Sequence, residues 1–295
     1  MTEKRTRKSI FSGEKMFWFF IMPWIIGFIL LTGGPIFASM VLSFTKYDVL
    51  TAPNFIGFDN YVHLFNDRLF YKSLSTTLYY TVLAVPFVNI LALLLALLLN
   101  QKVRGIGVFR VIFYAPSVVS GVAICFLWAW LLNSDFGIVN YVLSLVHIKG
   151  PAWFSSSSTV IPSLVLTTLT GIGGTMVIYL ASMQSLSAEI FEAAAIDGAN
   201  PFRRFFAITI PLLSPVILFN GIMTMIAAIQ IFVPSFVITK GGPDWGSYFY
   251  VYYLFDNAFS QFRMGYASAQ AWILFVITFA MTLLALKVSK RYVHY

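Results

Sequence analysis

Three carboxylates, Glu189, Glu192 and Asp197, gather around the stretch Glu192-Ala193-Ala194-Ala195-Ile196-Asp197-Gly198-Ala199. Asn200-Pro201 follows it, and Ile210-Pro211-Leu212-Leu213 lies further on. This is a polar hinge, punctuated by glycine, between two long apolar runs. A chain does not need such a segment merely to turn around, so its chemistry reads as a grip for something outside the membrane. The other reactive residues offer less. His63, His147 and His294 lie far apart, and none has metal-ligand spacing to another His or Cys. Cys125 is the single cysteine, so no disulfide forms within the chain, and it reads as a small apolar packing residue. No Gly-Lys dipeptide occurs, hence no phosphate-binding loop. If ATP energy is used, another chain binds the nucleotide.

The elements that carry these residues are membrane spans. The chain has 295 residues, 59% of them hydrophobic and 10% charged, with a mean hydropathy of +0.83. Soluble domains carry roughly 25% charged residues. About 20 apolar residues cross a ~30 Å hydrocarbon core. Windows free of Asp, Glu, Lys and Arg occur at 16–45, 73–101, 111–134, 150–188, 205–239 and 264–286. They predict six helices, near 17–43, 74–100, 109–132, 159–182, 211–238 and 267–288. The first reads as an uncleaved span, bent at Gly34-Pro35. The fold class is all-α integral membrane protein. Residues 1–72 comprise the N-terminus, first span and outer loop, and residues 73–295 form the core. The outer loops, 44–73 and 133–158, have room for short surface helices but for no further domain.

Lys and Arg set the orientation. With the N-terminus in the cytoplasm, that side holds Lys4, Arg5, Arg7, Lys8, Lys15, Lys102, Arg104, Arg110, Arg203, Arg204, Lys287, Lys290 and Arg291. Lys46, Arg68, Lys72, Lys149, Lys240 and Arg263 remain outside. The acids divide almost evenly, so the whole net charge of +8 falls on the cytoplasmic side. Topology therefore accounts for the basic balance, and no nucleic-acid partner is expected. Both termini and the hinge, about residues 185–210, face the cytoplasm, between helices 4 and 5.

Within the hinge, Ser187 reads as a helix cap with Glu189 in the first turn. Gly198 stands where a helix end needs positive φ. Asn200-Pro201 reads as the cap and first residue of a second helix, which presents Phe202, Phe205 and Phe206 around Arg203 and Arg204. Two readings follow. One is an amphipathic connector on lipid headgroups. The other is a docking element for a protein, which the three acids favour, since an anionic leaflet repels them.

The pattern Glu192-Ala193-Ala194-x-x-x-Gly198, with Asp197 before the glycine and Leu212 after Pro211, resembles the EAA loop of ABC-importer permeases. Further patches resemble the carbohydrate branch, the maltose and glycerol-3-phosphate type permeases. These are Gly57-Phe58-Asp59-Asn60-Tyr61, Asp67 with Phe70, Ser73 to Thr81, Arg110 with Pro116, and Gly137-x-x-Asn140. Thr239-x-Gly241-Gly242-Pro243, Ala258-Phe259 and Gly265-Tyr266-Ala267 complete the set. Ile210 departs from the leucine common before the loop's proline. The resemblance implies a multi-pass permease of the cytoplasmic (inner) membrane, embedded in lipid, that imports a sugar or oligosaccharide and is not itself an enzyme. It implies a second permease subunit, a cytoplasmic ATPase dimer and an extracytoplasmic sugar-binding protein. No cofactor is bound by this chain; ATP-Mg belongs to the ATPase. Glu192, Ala193, Asp197 and Gly198 would form the coupling element, with Phe191, Ala194 and Ala195 as its buried face.

The span interiors hold no ionisable side chain. Ion-coupled carriers usually place one there, so neutral cargo and an outside energy source are expected. Asn89, Ser120, Thr168, Asn220, Thr224 and Gln230 are the candidate substrate-path residues, with helix–helix hydrogen bonding as the competing use of the same residue types. Asn220 and Thr224 share a face at i, i+4. A glycerol phosphate cargo would want Arg or Lys in the path. An intramembrane enzyme would need a catalytic constellation that is not visible. A non-transporting scaffold does not account for motifs on both sides of the membrane.

Overall fold

The computed structural model describes residues 10–101 and 103–290, with side-chain surroundings from residue 16 onward. The side chains of Lys4, Arg5, Arg7, Lys8, Lys15, Lys102 and Arg291, on which the expected orientation leans, lie outside that set.

In chain order, α1 is Met16–Leu42. A short ribbon pairs β1 (Thr45–Lys46) antiparallel with β2 (Asn54–Phe55), Thr45 opposite Phe55. Then come α2 (Asp59–Asn66), α3 (Arg68–Leu99), α4 (Ile106–Val118), α5 (Gly121–Leu131) and α6 (Ile138–Leu145). α7 (Val160–Gln184), α8 (Ala188–Ile196), α9 (Pro201–Ile229), α10 (Tyr250–Phe255) and α11 (Met264–Ser289) follow, with separate π turns at Ser235–Thr239 and Asp256–Ser260. α1, α3, α7, α9 and α11 are each long and apolar enough to cross a membrane.

The expected third span is instead the pair α4 and α5, bent by 100°. Pro116 opens a 3-10 turn over Ala115–Val118, and Val119 and Ser120 are extended, with ψ of 145° and 132°. Pro116, Ser117, Ser120 and Gly121 lie at the break, inside a run whose apolar residues read as one continuous span. The fifth span also differs. It begins at Pro201, not at residue 211, and ends at Ile229. Pro211 does not start it. A π turn over Phe205–Thr209 carries the helix past the proline, with the Ile210 N–H bonded to the Phe205 carbonyl. α1 repeats the device at the same offset: a π turn over Ile29–Gly33, the Gly34 N–H bonded to the Ile29 carbonyl, then Pro35. A proline ring collides with the carbonyl four residues earlier and donates nothing to it. Widening the turn just before the ring keeps the other backbone groups bonded, which hydrocarbon requires.

The described residues fall into two compact units, Met1–Asn66 with Asn257–Ile273, and Asp67–Asp256 with Leu274–Tyr295. In the first, Asn60 Nδ2 donates to the carbonyls of Ser43 (2.8 Å) and Thr45 (2.9 Å), tying α2 to the ribbon. Gly265 lies so close beneath that ribbon that a Cβ there would collide with the Thr45 carbonyl.

In the second unit α3 is the central post. Its buried residues Ser73, Thr77, Thr81, Ala84, Val88, Ala92 and Ala96 recur every three or four positions along one face. Small residues at that spacing let neighbouring helices approach. The hydroxyls are satisfied within the helix, Thr77 donating to the Ser73 carbonyl and Thr81 to that of Thr77, both at 2.8 Å. One core joins Val88, Ala92, Ala96 and Leu99 to Ile172, Met176, Tyr179, Leu180 and Met183 of α7 and Leu213 of α9. A second joins Tyr80 and Ala84 to the start of α7, the end of α9, and Phe249. Several residues behind the family resemblance are joints of this unit. Asp67 caps α3 at Leu69 and accepts the Tyr253 hydroxyl, and Arg110 Nη2 donates to the Leu99 carbonyl at 2.9 Å.

Two adjacent glycines of α7 are expected to behave oppositely. A Cβ at Gly173 would collide with the Phe113 carbonyl and sit 2.9 Å from Tyr114 Cα, whereas one at Gly174 meets nothing within 4 Å. Gly173→Ala should therefore lower stability by about 1–3 kcal/mol through overpacking. Gly174→Ala should leave it unchanged or raise it by up to about 1 kcal/mol through helix propensity. Thermal unfolding of both variants in detergent checks this pair.

Candidate functional site

Two sites emerge, one in the hinge and one among the spans. In the hinge, Ser187 Oγ accepts the Glu189 N–H at 3.2 Å and starts α8. Gly198 has φ +73°, and the Ala199 N–H closes onto the Ala194 carbonyl at 2.9 Å. That six-to-one bond across a left-handed residue ends a helix sharply and is easiest for glycine. Asn200 Oδ1 then accepts the Arg203 N–H at 2.7 Å, with Pro201 in the first turn. α8 is thus a rigid peg with both ends fixed.

The peg has two faces. Ala194 is buried, and Phe191 is half-buried at the rim of a small cavity of about 240 Å³. Leu97 of α3 and Asn100 just past its end, Met183 and Leu186, and Thr209 of the π turn also line that cavity. So Phe191 and Ala194 seat α8 on the chain's own spans. Glu192, Ala193, Ala195, Asp197 and Gly198 are exposed. Ala195, expected on the buried face, lies on the free one within this chain. Ile196 (87% exposed), Phe202 (78%) and Phe206 (66%) extend that free face. Carboxylates edge this face, and Arg203 and Arg204 follow in the first turn of α9.

The second site is a cavity of about 530 Å³. α3 contributes Tyr80, Ala84 and Val88, one stripe at i, i+4 and i+8. α7 contributes Thr168, Gly171, Gly174, Thr175 and Ile178, and α9 contributes Phe219, Asn220, Met223, Thr224, Ala227 and Ala228. Ile231 and Pro234 close it. Small residues at 84, 171, 174, 227 and 228 make the space. The lining carries hydroxyls and one carboxamide but no Asp, Glu, Lys or Arg. Helical backbone is interrupted here, by a 3-10 turn at Thr168–Gly171 in α7 and by the end of α9 at Ile229. A neighbouring cavity of about 280 Å³ shares Thr168, Gly171 and Pro234 and is lined by the bend residues Pro116, Ser117, Val119 and Gly121. Irregular backbone at membrane depth is tolerated where it lines a polar cavity. Three spans lose regular helix around these two neighbouring cavities.

Of the candidate path residues, the cavity brings together Thr168, Asn220 and Thr224. Thr168 Oγ1 is engaged with the Val165 carbonyl at 2.6 Å. Asn89 lies outside the lining, with Nδ2 on the Val85 carbonyl and Oδ1 accepting the Tyr179 hydroxyl, both at 2.8 Å. Ser120 is an exposed residue at the bend, and Gln230 is an exposed residue closing α9. Thr175, and Tyr80 from the Ser73 to Thr81 patch behind the resemblance, line the cavity without having been read as path residues. The spacing of Tyr80 to Ala84 and Val88, one polar aromatic above two small residues, was the signal for Tyr80.

Residues 65–293 match the family model described as binding-protein-dependent transport system inner membrane component. The probable ABC transporter permease protein YesP of Bacillus subtilis is 41% identical over 281 residues, covering 94% of this chain and 91% of that protein. The multiple sugar-binding transport system permease protein MsmF of Streptococcus mutans is 31% identical over 259 residues, 88% of this chain and 89% of its own. The trehalose/maltose transport system permease protein MalF of Thermococcus litoralis is 29% identical over 293 residues, 98% and 99%. In the crystal structure of a bacterial alginate ABC transporter in complex with an alginate pentasaccharide-bound periplasmic protein, one chain superposes with a TM-score of 0.82. It is 21% identical and covers 95% of this chain and 96% of that one, a likeness of fold.

Cavity and core make a testable contrast. In a Cys125→Ala background, Thr224→Cys should react with a small water-soluble methanethiosulfonate reagent, whereas Asn89→Cys, turned into the α3–α7 contact, should not. Labelling followed by mass spectrometry reads both.

Proposed function

This chain belongs to the family of binding-protein-dependent transport system inner membrane components, and we propose that it is the permease subunit of an importer that takes up a neutral sugar or oligosaccharide. The observation that carries the cargo class is the lining of the 530 Å³ cavity, hydroxyls and a carboxamide with no charged side chain. Such groups exchange hydrogen bonds with sugar hydroxyls and leave no buried charge unpaired. The sugar substrates in the names of two relatives, MsmF and MalF, support the same class. A glycerol phosphate fits less well, because a phosphate in a low-dielectric cavity calls for Arg or Lys.

In this reading an extracytoplasmic binding protein delivers the sugar, and a second permease subunit completes the pathway. ATP-Mg is bound and hydrolysed on a separate cytoplasmic ATPase dimer, not on this chain. Both termini and α8 face the cytoplasm, where the free face of α8 docks on the ATPase. Glu192, Ala193, Ala195, Asp197 and Gly198 make that contact or hold its shape, with Ile196 and Phe202 as apolar anchors. Phe191 and Ala194 are the seat through which movement of the peg reaches α3, α7 and α9. Asn220 and Thr224 face the cargo.

Affinity capture of the tagged chain from gently solubilised native membranes tests the assembly. An ATPase and a second permease should copurify, and a monomer free of nucleotide-binding partners would count against the reading. Gly198→Val is expected to insert normally and to lose ATP-driven uptake. A β-branched residue at φ +73° is strained by roughly 1–2 kcal/mol or more, and the helix end must move. Uptake at the wild-type rate by correctly inserted Gly198→Val would overturn the coupling role.

A further inference from the structure

The first compact unit holds a cavity of about 460 Å³ that takes no part in the cargo path or in the seat of α8. The ribbon brings Lys46 and Asp48 to it, α2 brings Asp59 and His63, and Arg263 stands one residue before α11. Four of its nine lining residues are Lys, Arg or Asp, in a chain of which 10% is charged. Its size falls within the range of ligand cavities, about 300–1,000 Å³. The walls are fixed by the backbone and by one ring contact. The Gly265 N–H is bonded to the Tyr47 carbonyl at 3.1 Å and the Arg263 N–H to the Asn257 carbonyl at 2.8 Å. The His63 ring meets Tyr266 edge-on, with centroids 5.0 Å apart. The charges do not pair with one another. Among the described residues, the side chains of Lys46, Asp59 and Arg263 make no hydrogen bond and no ion pair. Asp48 accepts the Thr51 N–H at 2.9 Å and the Thr51 hydroxyl at 2.7 Å, both on Oδ1.

The neighbouring elements set the depth of this cavity. α1 ends at Leu42 and α11 begins at Met264, so Lys46 and Arg263 stand just beyond two apolar spans. Both spans leave most of their surface uncovered by the rest of the chain, which is surface for lipid. The cavity therefore lies where hydrocarbon gives way to phosphate groups. Leu50 (88% exposed), Phe55 (80%) and Phe58 (69%) surround it on the ribbon and its loops. Bulk water disfavours such a patch, whereas the boundary of acyl chains and headgroups suits it. A ligand made of phosphate alone would meet two carboxylates here. One that carries both a phosphate and a primary ammonium matches both signs, and its three N–H donors suit carboxylates, which a choline headgroup cannot do. We propose that the cavity seats the headgroup of one phosphatidylethanolamine, with its phosphate on Lys46 and Arg263 and its ammonium on Asp59 and Asp48. The lipid then ties the ribbon and α2 to the start of α11. This site is independent of the cargo and of which face is cytoplasmic, since it needs only that α1 and α11 cross the bilayer.

The full-length chain, delipidated in mild detergent, is titrated with phosphatidylethanolamine, phosphatidylglycerol and phosphatidylcholine of the same acyl chains, and native mass spectrometry reads the bound lipid. One phosphatidylethanolamine should be held about fivefold or more tightly than either of the others. Lys46→Gln and Arg263→Gln, which break no contact within the chain, should each weaken it by about three- to tenfold, as for one lost charge-assisted hydrogen bond. Asp59→Asn should abolish the preference over phosphatidylcholine. Without lipid the variants should melt with the wild type, and they should lose the upward shift that phosphatidylethanolamine gives it. Equal retention of the three lipids by the wild type, or unchanged binding by the Lys46→Gln/Arg263→Gln double variant, overturns the proposal. Soluble phosphoethanolamine presents the same chemistry without acyl chains and should compete poorly. If it displaces the lipid at equal concentration, the ligand is a free solute and the lipid assignment falls. If the double variant binds lipid normally but no longer captures the binding protein, the cavity is a protein-docking site and the proposal is overturned as well.

Discussion

The fold depends on one interaction, the close approach of α7 and α9 to the small-residue face of α3. Inside hydrocarbon, apolar side chains gain nothing by leaving lipid for protein, so association rests on packing and on satisfied polar groups. Val88, Ala92 and Ala96 provide the flat surface, and Met176, Tyr179 and Leu180 fill it. The same stripe, continued through Ala84 to Tyr80, becomes a cavity wall where α7 and α9 carry Gly171, Gly174, Ala227 and Ala228. Contact and cavity are thus two stretches of one surface. They differ in whether the facing residues are large or small.

A second constraint acts on the backbone. Two of the span prolines are accommodated locally, by the matched π turns before Pro35 and Pro211. Where regularity is given up altogether, at the α4–α5 bend, at Thr168–Gly171 and at the end of α9, the interruptions border two cavities that share lining residues. Threonine and serine hydroxyls and the Asn220 carboxamide give these largely apolar cavities hydrogen-bonding groups without any charge. That combination suits a solute that must be held by hydrogen bonds and released again.

α8 shows how a contact can be both firm and transferable. Its ends are fixed by Ser187 and Gly198, so it is a short helix closed at both ends. Its seat, Phe191 and Ala194, is apolar and touches the ends of α3 and α7 and the π turn of α9. These are the helices that line the cavity. A wide-turned helix deforms more readily than a regular one, and π turns often mark functional positions. The π turn at Phe205–Thr209 therefore stands where displacement of the peg would enter α9.

The sequence by itself determined the class of the protein, five of the spans, the capped shape of α8 and the family. These are local properties: hydropathy over one helix length, a cap residue, a glycine at positive φ. It also determined that the long apolar runs carry no Asp, Glu, Lys or Arg. The partners of each polar side chain were decided by tertiary structure alone. Asn220 and Thr224 reach the cavity, Asn89 reaches Tyr179, and Gln230 and Ser120 lie exposed. In a soluble helix, the boundary between apolar and polar faces announces which side is inward. Here the spans are apolar all round, lipid and protein interior ask for the same residues, and inward faces become visible only when helices from distant parts of the chain are brought together. The α4–α5 bend was hidden for the same reason, since hydropathy counts apolar residues and is blind to the direction in which the backbone carries them.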